Sequence, residues 1–298
     1  PVDTRPVMYY RDDNIEFKYI FLIDSLKGLP SLTMINDTYI RLGFFITVLA
    51  VMILWESLRP SRKSPIGIHN RWLSNVSLIV LGVVVARLMI PAGLAAVAIY
   101  AQNNNLGIYN HISMTLWLTV PISVVLFDCL IYWQHRLLHH IPIFWRIHRV
   151  HHADPHLDAS TGLRFHPLEI ALSLVVKIAA VLILGAPVLA ILIFEISLNA
   201  TSIFTHSNIK LPVKLDKLLR TLIVTQTMHR IHHSQVVSEM DSNFGFNLSI
   251  WDKLFGSYIE EGQNGDDGIK LGLKEYSSPQ TNTSLKALLL MPFKQKPN

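Results

Sequence analysis

Histidines spaced for metal binding repeat along the middle of the chain. The pattern H-x-x-H-H occurs in FWRIHRVHHADPH and again in MHRIHHS, a third cluster stands in HRLLHH, and one isolated histidine stands in FTHSNI. On a helix, positions i, i+3 and i+4 share one face, so each cluster directs two or three imidazoles at one point. Neutral imidazole binds iron, zinc, copper and nickel. The candidate ligands are His135, His139, His148, His151, His152, His206, His229, His232 and His233.

These clusters exceed what one metal ion needs. A structural zinc takes only four ligands, so the set predicts two ions. His140 and His166 are additional candidates, whereas the isolated His69 and His111 are expected to be ordinary hydrogen-bonded residues. A membrane-surface belt of histidine and arginine without metal is the competing interpretation. It is disfavoured, because clustered cations repel one another at low dielectric unless a metal keeps the imidazoles neutral.

Two polar stripes run toward histidines along predicted helices. One leads from Asp128 to His135, and the other leads from Glu195 through Asn199 to His206. Metal-bound histidines usually donate their second N–H to a carboxylate or a carbonyl, and a charge within an apolar span is functional by default. Asp128, Glu195 and Asn199 are therefore predicted to support the metal ligands.

A structural role for the acidic residues is the alternative. Asp128 and Glu195 would then bridge helices, for example to Arg87 or Lys177. Glu169, in RFHPLE, is open to either role.

The elements that must position these residues are apolar enough to enter a membrane. Half of the 298 residues are hydrophobic (50%), only 16% are charged, and the mean hydropathy is +0.35. A spanning helix needs ~20 apolar residues, and four regions qualify, at 39–55, 76–100, 112–133 and 168–204. The last is too long for one span and is broken by LGAP, which predicts a helical hairpin. The sequence thus predicts an all-α, multi-pass membrane bundle of about four spanning helices or hairpin equivalents.

Basic residues indicate how this bundle is oriented. The loop at 56–75 is basic, the loop at 101–111 has no lysine or arginine, and the segments after the third region and after the hairpin are basic again. Basic loops remain cytoplasmic. We therefore expect residues 56–75 and 205–298 in the cytoplasm, with a histidine-rich helical cap that holds a dimetal site on that side. The net charge of +5 is explained by this orientation, so no nucleic-acid partner is expected.

The ordered motifs resemble one family of integral membrane enzymes. DCLIYWQHRLLHH, FWRIHRVHHADPHLDASTGLRFHPLE, FTHSNIKLP, MHRIHHS and DSNFGFNLSIWDKLFGSY are similar to the fatty acid hydroxylase superfamily, which includes sterol desaturases, sterol methyl oxidases and sphingolipid hydroxylases. RFHPLE and NFGFNLSIWDKLFG look most like the sterol-desaturase-like branch. The resemblance divides the chain into an N-terminal segment at 1–38 without a signal-peptide pattern, transmembrane helices at 39–111, a catalytic domain at 112–262 and a tail at 263–298.

What the resemblance implies is lipid oxidation at two non-haem iron ions. The ions would be bound almost wholly by the nine histidines, and zinc can replace iron in purified material. The enzyme would hydroxylate or desaturate a C–H bond of a membrane lipid with dioxygen. Lys210 stands where relatives often have a further histidine, so His166 or Asn208 is expected to substitute there.

The electrons for such a reaction would come from outside the chain. The chain has no GxGxxG motif for a nucleotide, no CxxCH motif for haem and no iron–sulfur motif. Its single cysteine is Cys129. A cytochrome b5-like or ferredoxin-type protein is the expected donor. Two other functions compete with this one. A membrane zinc hydrolase would need a general base such as the glutamate of H-E-x-x-H, which this chain lacks. A metal transporter would have its ligands nearer the bilayer midplane.

Overall fold

The computed structural model describes residues 32–64, 67–276, 278 and 282–295. Its regular structure there is helical, and β-pairing is limited to isolated bridges. The longer helices are α1 (Leu32–Leu58), α2 (Ile68–Met89), α3 (Gly93–Asn103), α4 (Leu116–His140), α5 (Pro142–His152), α6 (Pro167–Leu184) and α7 (Val188–His206). The shorter ones are α8 (Val213–Leu219), α9 (Gln226–His232), α10 (Val237–Met240), α11 (Ile250–Leu254), α12 (Gly265–Gly268) and α13 (Leu285–Leu290), with 3₁₀ turns at Ile108–Asn110, Thr161–Leu163, Lys274–Tyr276 and Met291–Phe293.

Five stretches of the described chain are long and apolar enough to cross a membrane. They are 37–58 in α1, 68–110 in α2 and α3, and the helices α4, α6 and α7. The prediction of an all-α, multi-pass membrane bundle is confirmed. Large apolar side chains on these helices face outward, such as Trp117 at 90% exposure and Leu88 at 78%. An outer surface of this kind suits lipid rather than water.

The second apolar region is two helices rather than one. α2 ends at Met89, Ile90 is extended, and α3 begins at Gly93. Pro91 causes this break, because the residue before a proline is displaced from the helical region. The expectation that one continuous helix spans 76–100 is therefore wrong.

The hairpin predicted at LGAP is confirmed. Gly185 ends α6 in the left-handed conformation, at φ +67°, and Pro187 precedes the first residue of α7. A side chain at Gly185 would lie 2.7 Å from the carbonyl oxygen of Leu106 and would clash with the loop after α3. Glycine is thus required both for the turn and for the close approach of the two loops.

The helices bring their functional ends together at one end of the bundle. α4 ends, α6 begins and α7 ends there, and α5 and α9 pack against these ends. Between the spans, an apolar core includes Phe127 of α4 and Phe194 of α7, whose ring centroids are 5.2 Å apart. This packing fixes α4 relative to α7, and both helices carry candidate metal ligands.

A buried ionic network attaches α2 to the loop after α5. Asp154 accepts hydrogen bonds from Arg71 and Thr161, and Arg164 lies beside it. Burial favours the neutral acid, but Arg71 and Arg164 outweigh that effect and hold the pKa of Asp154 below its ordinary value. The C-terminal part also packs here, where Leu288 and Met291 belong to the same buried apolar cluster as Val150 of α5. Most of the segment proposed as 1–38 lies outside the described residues, and the other domain boundaries remain predictions.

Candidate metal centre

The histidines form two adjoining groups at this end of the bundle. One nitrogen from each member of a group lies within 4.8 Å of all the others in that group, and the side chains are buried. The five-histidine group contains His135, His139, His148, His152 and His232. The four-histidine group contains His151, His206, His229 and His233.

Each H-x-x-H-H motif is divided between the two groups. α5 contributes His148 and His152 to the five-histidine group but His151 to the four-histidine group, and the second motif supplies His232 to one and His229 and His233 to the other. The expectation that each cluster directs its imidazoles at one point is therefore wrong for both H-x-x-H-H motifs. Neighbouring helical residues point ~100° apart, so one helix placed between two centres supplies both.

Hydrogen bonds fix the protonation of key imidazoles in the five-histidine group. Nδ1 of His135 donates to the carbonyl oxygen of Phe244 at 2.8 Å, and Nδ1 of His148 donates to Oε1 of Glu169 at 2.8 Å. A neutral imidazole has one N–H, so both Nε2 atoms are bare. These two Nε2 atoms face each other at 3.1 Å. Two lone pairs at this distance repel unless a cation lies between them.

The four-histidine group repeats this arrangement. Nδ1 of His206 donates to the carbonyl oxygen of Ser202 at 2.6 Å, and Nδ1 of His151 donates to that of Arg164 at 3.3 Å. Their bare Nε2 atoms are 2.9 Å apart. In the other group, Nδ1 of His232 donates to the carbonyl oxygen of Ser242, and its buried Nε2 has no hydrogen-bond partner among the described residues. Both groups thus present inward lone pairs.

Protons are poor candidates for a cation between these lone pairs. Burial, reinforced by neighbouring imidazoles, lowers the pKa of His151, His152, His229 and His233 well below the ordinary value. Burial also lowers the pKa of His232, to about 3. These five imidazoles are therefore neutral near pH 7, which is the form that binds metals.

The distances suit a metal ion in each group. Nitrogens bound ~2.1 Å from one ion lie roughly 3.0–4.2 Å apart, and the paired nitrogens at 2.9–3.1 Å are close to the lower end of that range. All-nitrogen donor sets suit iron, zinc or copper rather than magnesium or calcium. The residues present therefore fit two transition-metal ions.

The candidates His140 and His166 lie outside both groups. Nδ1 of His140 donates to the carbonyl oxygen of Arg136, and the residue is exposed. His166 precedes α6, where its Nδ1 accepts from the backbone N–H of Leu168. Asn208, the other suggested substitute, donates from its side chain to the carbonyl oxygen of Arg62.

The polar residues predicted to support the ligands have other contacts. Both carboxylate oxygens of Asp128 accept hydrogen bonds from the segment Asn247–Trp251, including the backbone N–H of Leu248 at 3.0 Å. Glu195 pairs with Lys177, as the helix-bridging alternative expects, and with Arg41. Asn199 donates to the carbonyl oxygen of Glu195 on its own helix. A role of these residues at the metal centre remains a prediction.

The groups that do contact the ligands were only partly visible in the sequence. Glu169 was open to two roles, and it binds His148. Asp241, which was not considered, lies with Oδ1 3.2 Å from Nδ1 of His139. The carbonyl of Phe244 is held in place because Asp252 accepts from the N–H of Phe244 at 2.7 Å. Carbonyl partners cannot be read from side-chain identity, because every residue has a carbonyl.

A protein-family comparison agrees with this centre. The model of the family described as fatty acid hydroxylase matches residues 120–257, the region that contains all nine grouped histidines. Residues 120–257 are thus similar to the fatty acid hydroxylase family.

Curated relatives of the family carry names that describe lipid oxidation. The chain is 27% identical to ornithine lipid hydroxylase OlsE of Rhizobium tropici over 72% of this chain and 65% of that protein. It is 30% identical to the alkylglycerol monooxygenase of Homo sapiens over 44% and 28%, and 27% identical to the lathosterol oxidase of Mus musculus over 56% and 55%. The aligned regions thus span less than two thirds of these relatives. No solved structure matches the chain.

Proposed function

We propose that the protein is a membrane-bound non-haem diiron oxygenase that hydroxylates or desaturates a C–H bond of a lipid, with dioxygen and electrons from a separate donor. The observation that carries the proposal is the set of inward-facing, bare imidazole nitrogens in two adjoining groups. The match of residues 120–257 to the fatty acid hydroxylase family model and the similarity to relatives named as lipid-oxidising enzymes support it. Bound iron would supply the activation of dioxygen and the removal of hydrogen from carbon.

A narrow apolar cavity supports lipid as the substrate class. It has a volume of about 140 Å³ and extends from the five-histidine group between the spans. His135 and His148 are among its polar lining residues, and Ile131, Leu163 and Phe246 are among its apolar ones. Such walls hold a hydrocarbon chain against the centre and exclude water from it.

The acidic residues at the centre favour oxidation over hydrolysis. A hydrolase needs a general base within reach of a metal-bound water. Glu169 and Asp241 instead face the Nδ1 atoms of His148 and His139, on the side away from their inward-facing Nε2 atoms. In this position the carboxylates orient the imidazoles and would increase their electron donation to a bound metal.

We infer that the centre lies on the cytoplasmic side, from the basic loops and the positive-inside rule. The donor of electrons, of the cytochrome b5-like or ferredoxin type, would dock there. Cysteine labelling from outside intact cells tests this orientation. A cysteine introduced at exposed Asn104 should be modified, whereas one at exposed Gln263 should not. The reverse pattern would contradict the orientation.

Oxygen incorporation tests the chemistry itself. Membranes from cells with and without the protein would be compared by lipid mass spectrometry after growth under ¹⁸O₂. We expect an ¹⁸O-labelled hydroxylated lipid, or an additional unsaturated one, only when the protein is present. A hydrolysed lipid without oxidation would contradict the proposal and favour the zinc hydrolase.

A further inference from the structure

Charged side chains from three spans meet inside the bundle, away from the histidines. Glu195 of α7 pairs with Arg41 of α1 and lies 3.5 Å from Nζ of Lys177 of α6. Asp37 also accepts from Arg41, at 2.9 Å. Charges within apolar spans are costly and commonly mark a path for a polar ligand. The ion pairs lower that cost but do not explain why so many charges are present.

These charges line a wide cavity that carries one excess positive charge. The cavity has a volume of about 590 Å³. Its charged lining residues are the cations Arg41, Arg87 and Lys177 and the acids Asp37 and Glu195. Arg87 donates to the carbonyl oxygen of Pro91 rather than to an acid. An anionic ligand group would balance this excess positive charge, and guanidinium and ammonium groups bind carboxylate and phosphate well.

The wide cavity adjoins the narrow one that reaches the five-histidine group. Ile170 and Lys177 line both cavities. Lys177 lies eight residues beyond Glu169, the partner of His148, which corresponds to ~12 Å along α6. A ligand bound at Lys177 by its polar end would therefore extend an apolar chain over about that distance to the histidines.

Ile170 stands at the junction between the cavities, against a glycine of α2. A Cβ at Gly82 would lie 2.9 Å from Cγ1 of Ile170. The absence of a side chain at position 82 leaves room for Ile170 beside α2. The width of the junction thus depends on the side chain at position 170.

We propose that the wide cavity binds the anionic end, carboxylate or phosphate, of a single-chain lipid or of one chain of a larger lipid, and that the chain passes Ile170 into the narrow cavity. This proposal rests on the proposed function for its role as a substrate site. The distance from Lys177 then sets which carbon reaches the centre, so the oxidised position is counted from the polar end of the lipid.

Binding measurements test the anion site without requiring catalysis. Radiolabelled hexadecanoate, hexadecyl phosphate and neutral hexadecanol would be titrated onto the whole protein in nanodiscs. Lys177→Met should weaken binding of the anionic probes about tenfold or more, as expected for loss of a charged hydrogen bond, and should leave hexadecanol unchanged. Exposed Lys286→Met is the matched control and should change neither. A preference for hexadecanoate or for hexadecyl phosphate would identify the anion source.

A second variant should change affinity in the opposite direction. Glu195→Gln removes the acid that competes for Lys177 and Arg41, so it should tighten binding of the anionic probes. If these charges only bridge helices, Glu195→Gln would leave anion binding unchanged or weaken it. The opposite result would be that the protein binds hexadecanol and the anionic probes equally well, with no effect of Lys177→Met. That result would contradict the proposed anion site even if the protein oxidises lipids.

The length of the lipid chain tests whether that chain passes Ile170 into the narrow cavity. Ile170→Trp should weaken binding of hexadecanoate but not of octanoate, whose shorter chain stays within the wide cavity. Ile170→Val keeps the junction open and should affect neither probe. Equal weakening of both probes by Ile170→Trp would contradict a chain that crosses the junction. If both anion-site results hold but no lipid is oxidised, the proposed function fails while the binding site remains.

Discussion

The five-histidine and four-histidine groups differ in what surrounds them. The first has carboxylate partners, Glu169 at His148 and Asp241 at His139, and two of its members line the narrow cavity. The second is held by carbonyl oxygens, those of Ser202 at His206 and Arg164 at His151. None of its members lines that cavity.

This difference suggests that the two histidine groups have different roles within one centre. Carboxylate partners make an imidazole a stronger donor than carbonyl partners do. A metal ion bound by the five-histidine group would lie nearer the narrow cavity, and an ion bound by the four-histidine group would lie farther from it. The two groups share α5 and α9, so disturbance of one is expected to reach the other.

Removing a ligand should have the largest effect. His232→Ala deletes a buried nitrogen of the five-histidine group, so lipid oxidation should fall to background and bound metal should decrease. His111→Ala, in the exposed loop after α3, is the matched control and should retain both. Activity assays would measure lipid oxidation, and elemental analysis would measure bound metal, both on folded, membrane-inserted protein. Full activity of His232→Ala would disprove its assignment as a ligand.

Acidification should release metal from both groups. The pKa of buried His232 is lowered to about 3, below the ordinary value of 6.5. The unfolded chain therefore binds more protons between these values, so stability and metal affinity decline as the pH falls below about 6.5. Metal retention and thermal unfolding in detergent, followed from pH 8 to pH 4, test this. Retention that increases on acidification would contradict neutral histidine ligands.

Replacing a carboxylate partner should have an intermediate effect and should separate the groups. Glu169→Gln keeps the shape but loses the charge facing His148, and losses of this kind cost ~10–100-fold in metal affinity or activity. Exposed Glu260→Gln is the control. Loss of the ion from the five-histidine group alone would show that the carboxylate acts on that group and not on the four-histidine group. An unchanged enzyme would show that the carboxylate does not tune the centre.

The smallest effect is expected at Asp128. Asp128→Asn weakens the hydrogen bonds that hold Asn247–Trp251, near Phe246 of the cavity wall, without touching a histidine. We expect a loss of stability of ~1–3 kcal/mol and a smaller decrease in oxidation than for Glu169→Gln. Thermal unfolding and activity measured together test this order. A larger decrease in activity with unchanged stability would indicate a direct role of Asp128 at the metals.

The sequence predicted the spans and the ligand candidates but not how the ligands are distributed. Hydropathy predicted the bundle, and LGAP predicted the hairpin, because both signals are local. The break at Pro91 was missed, since apolar residues continue on both sides of it. The division of each H-x-x-H-H motif between two groups depends on how α5 and α9 lie against α4 and α7, which spacing within one helix cannot reveal.

The partners of the histidines were harder to predict for a related reason. The stripe argument favoured Asp128 and Glu195, which are aligned with histidines along one helix. The observed carboxylate contacts instead come from other elements, as Glu169 of α6 approaches α5 and Asp241 approaches α4. Such contacts are set by tertiary packing rather than by periodicity.

Metal stoichiometry tests the central claim most directly. The protein would be purified in an active state without chelators, and its metal content would be determined by elemental analysis and by native mass spectrometry of the same sample. The two groups predict two transition-metal ions per chain, with iron in the active form. One ion or none in fully active protein would contradict the dimetal centre.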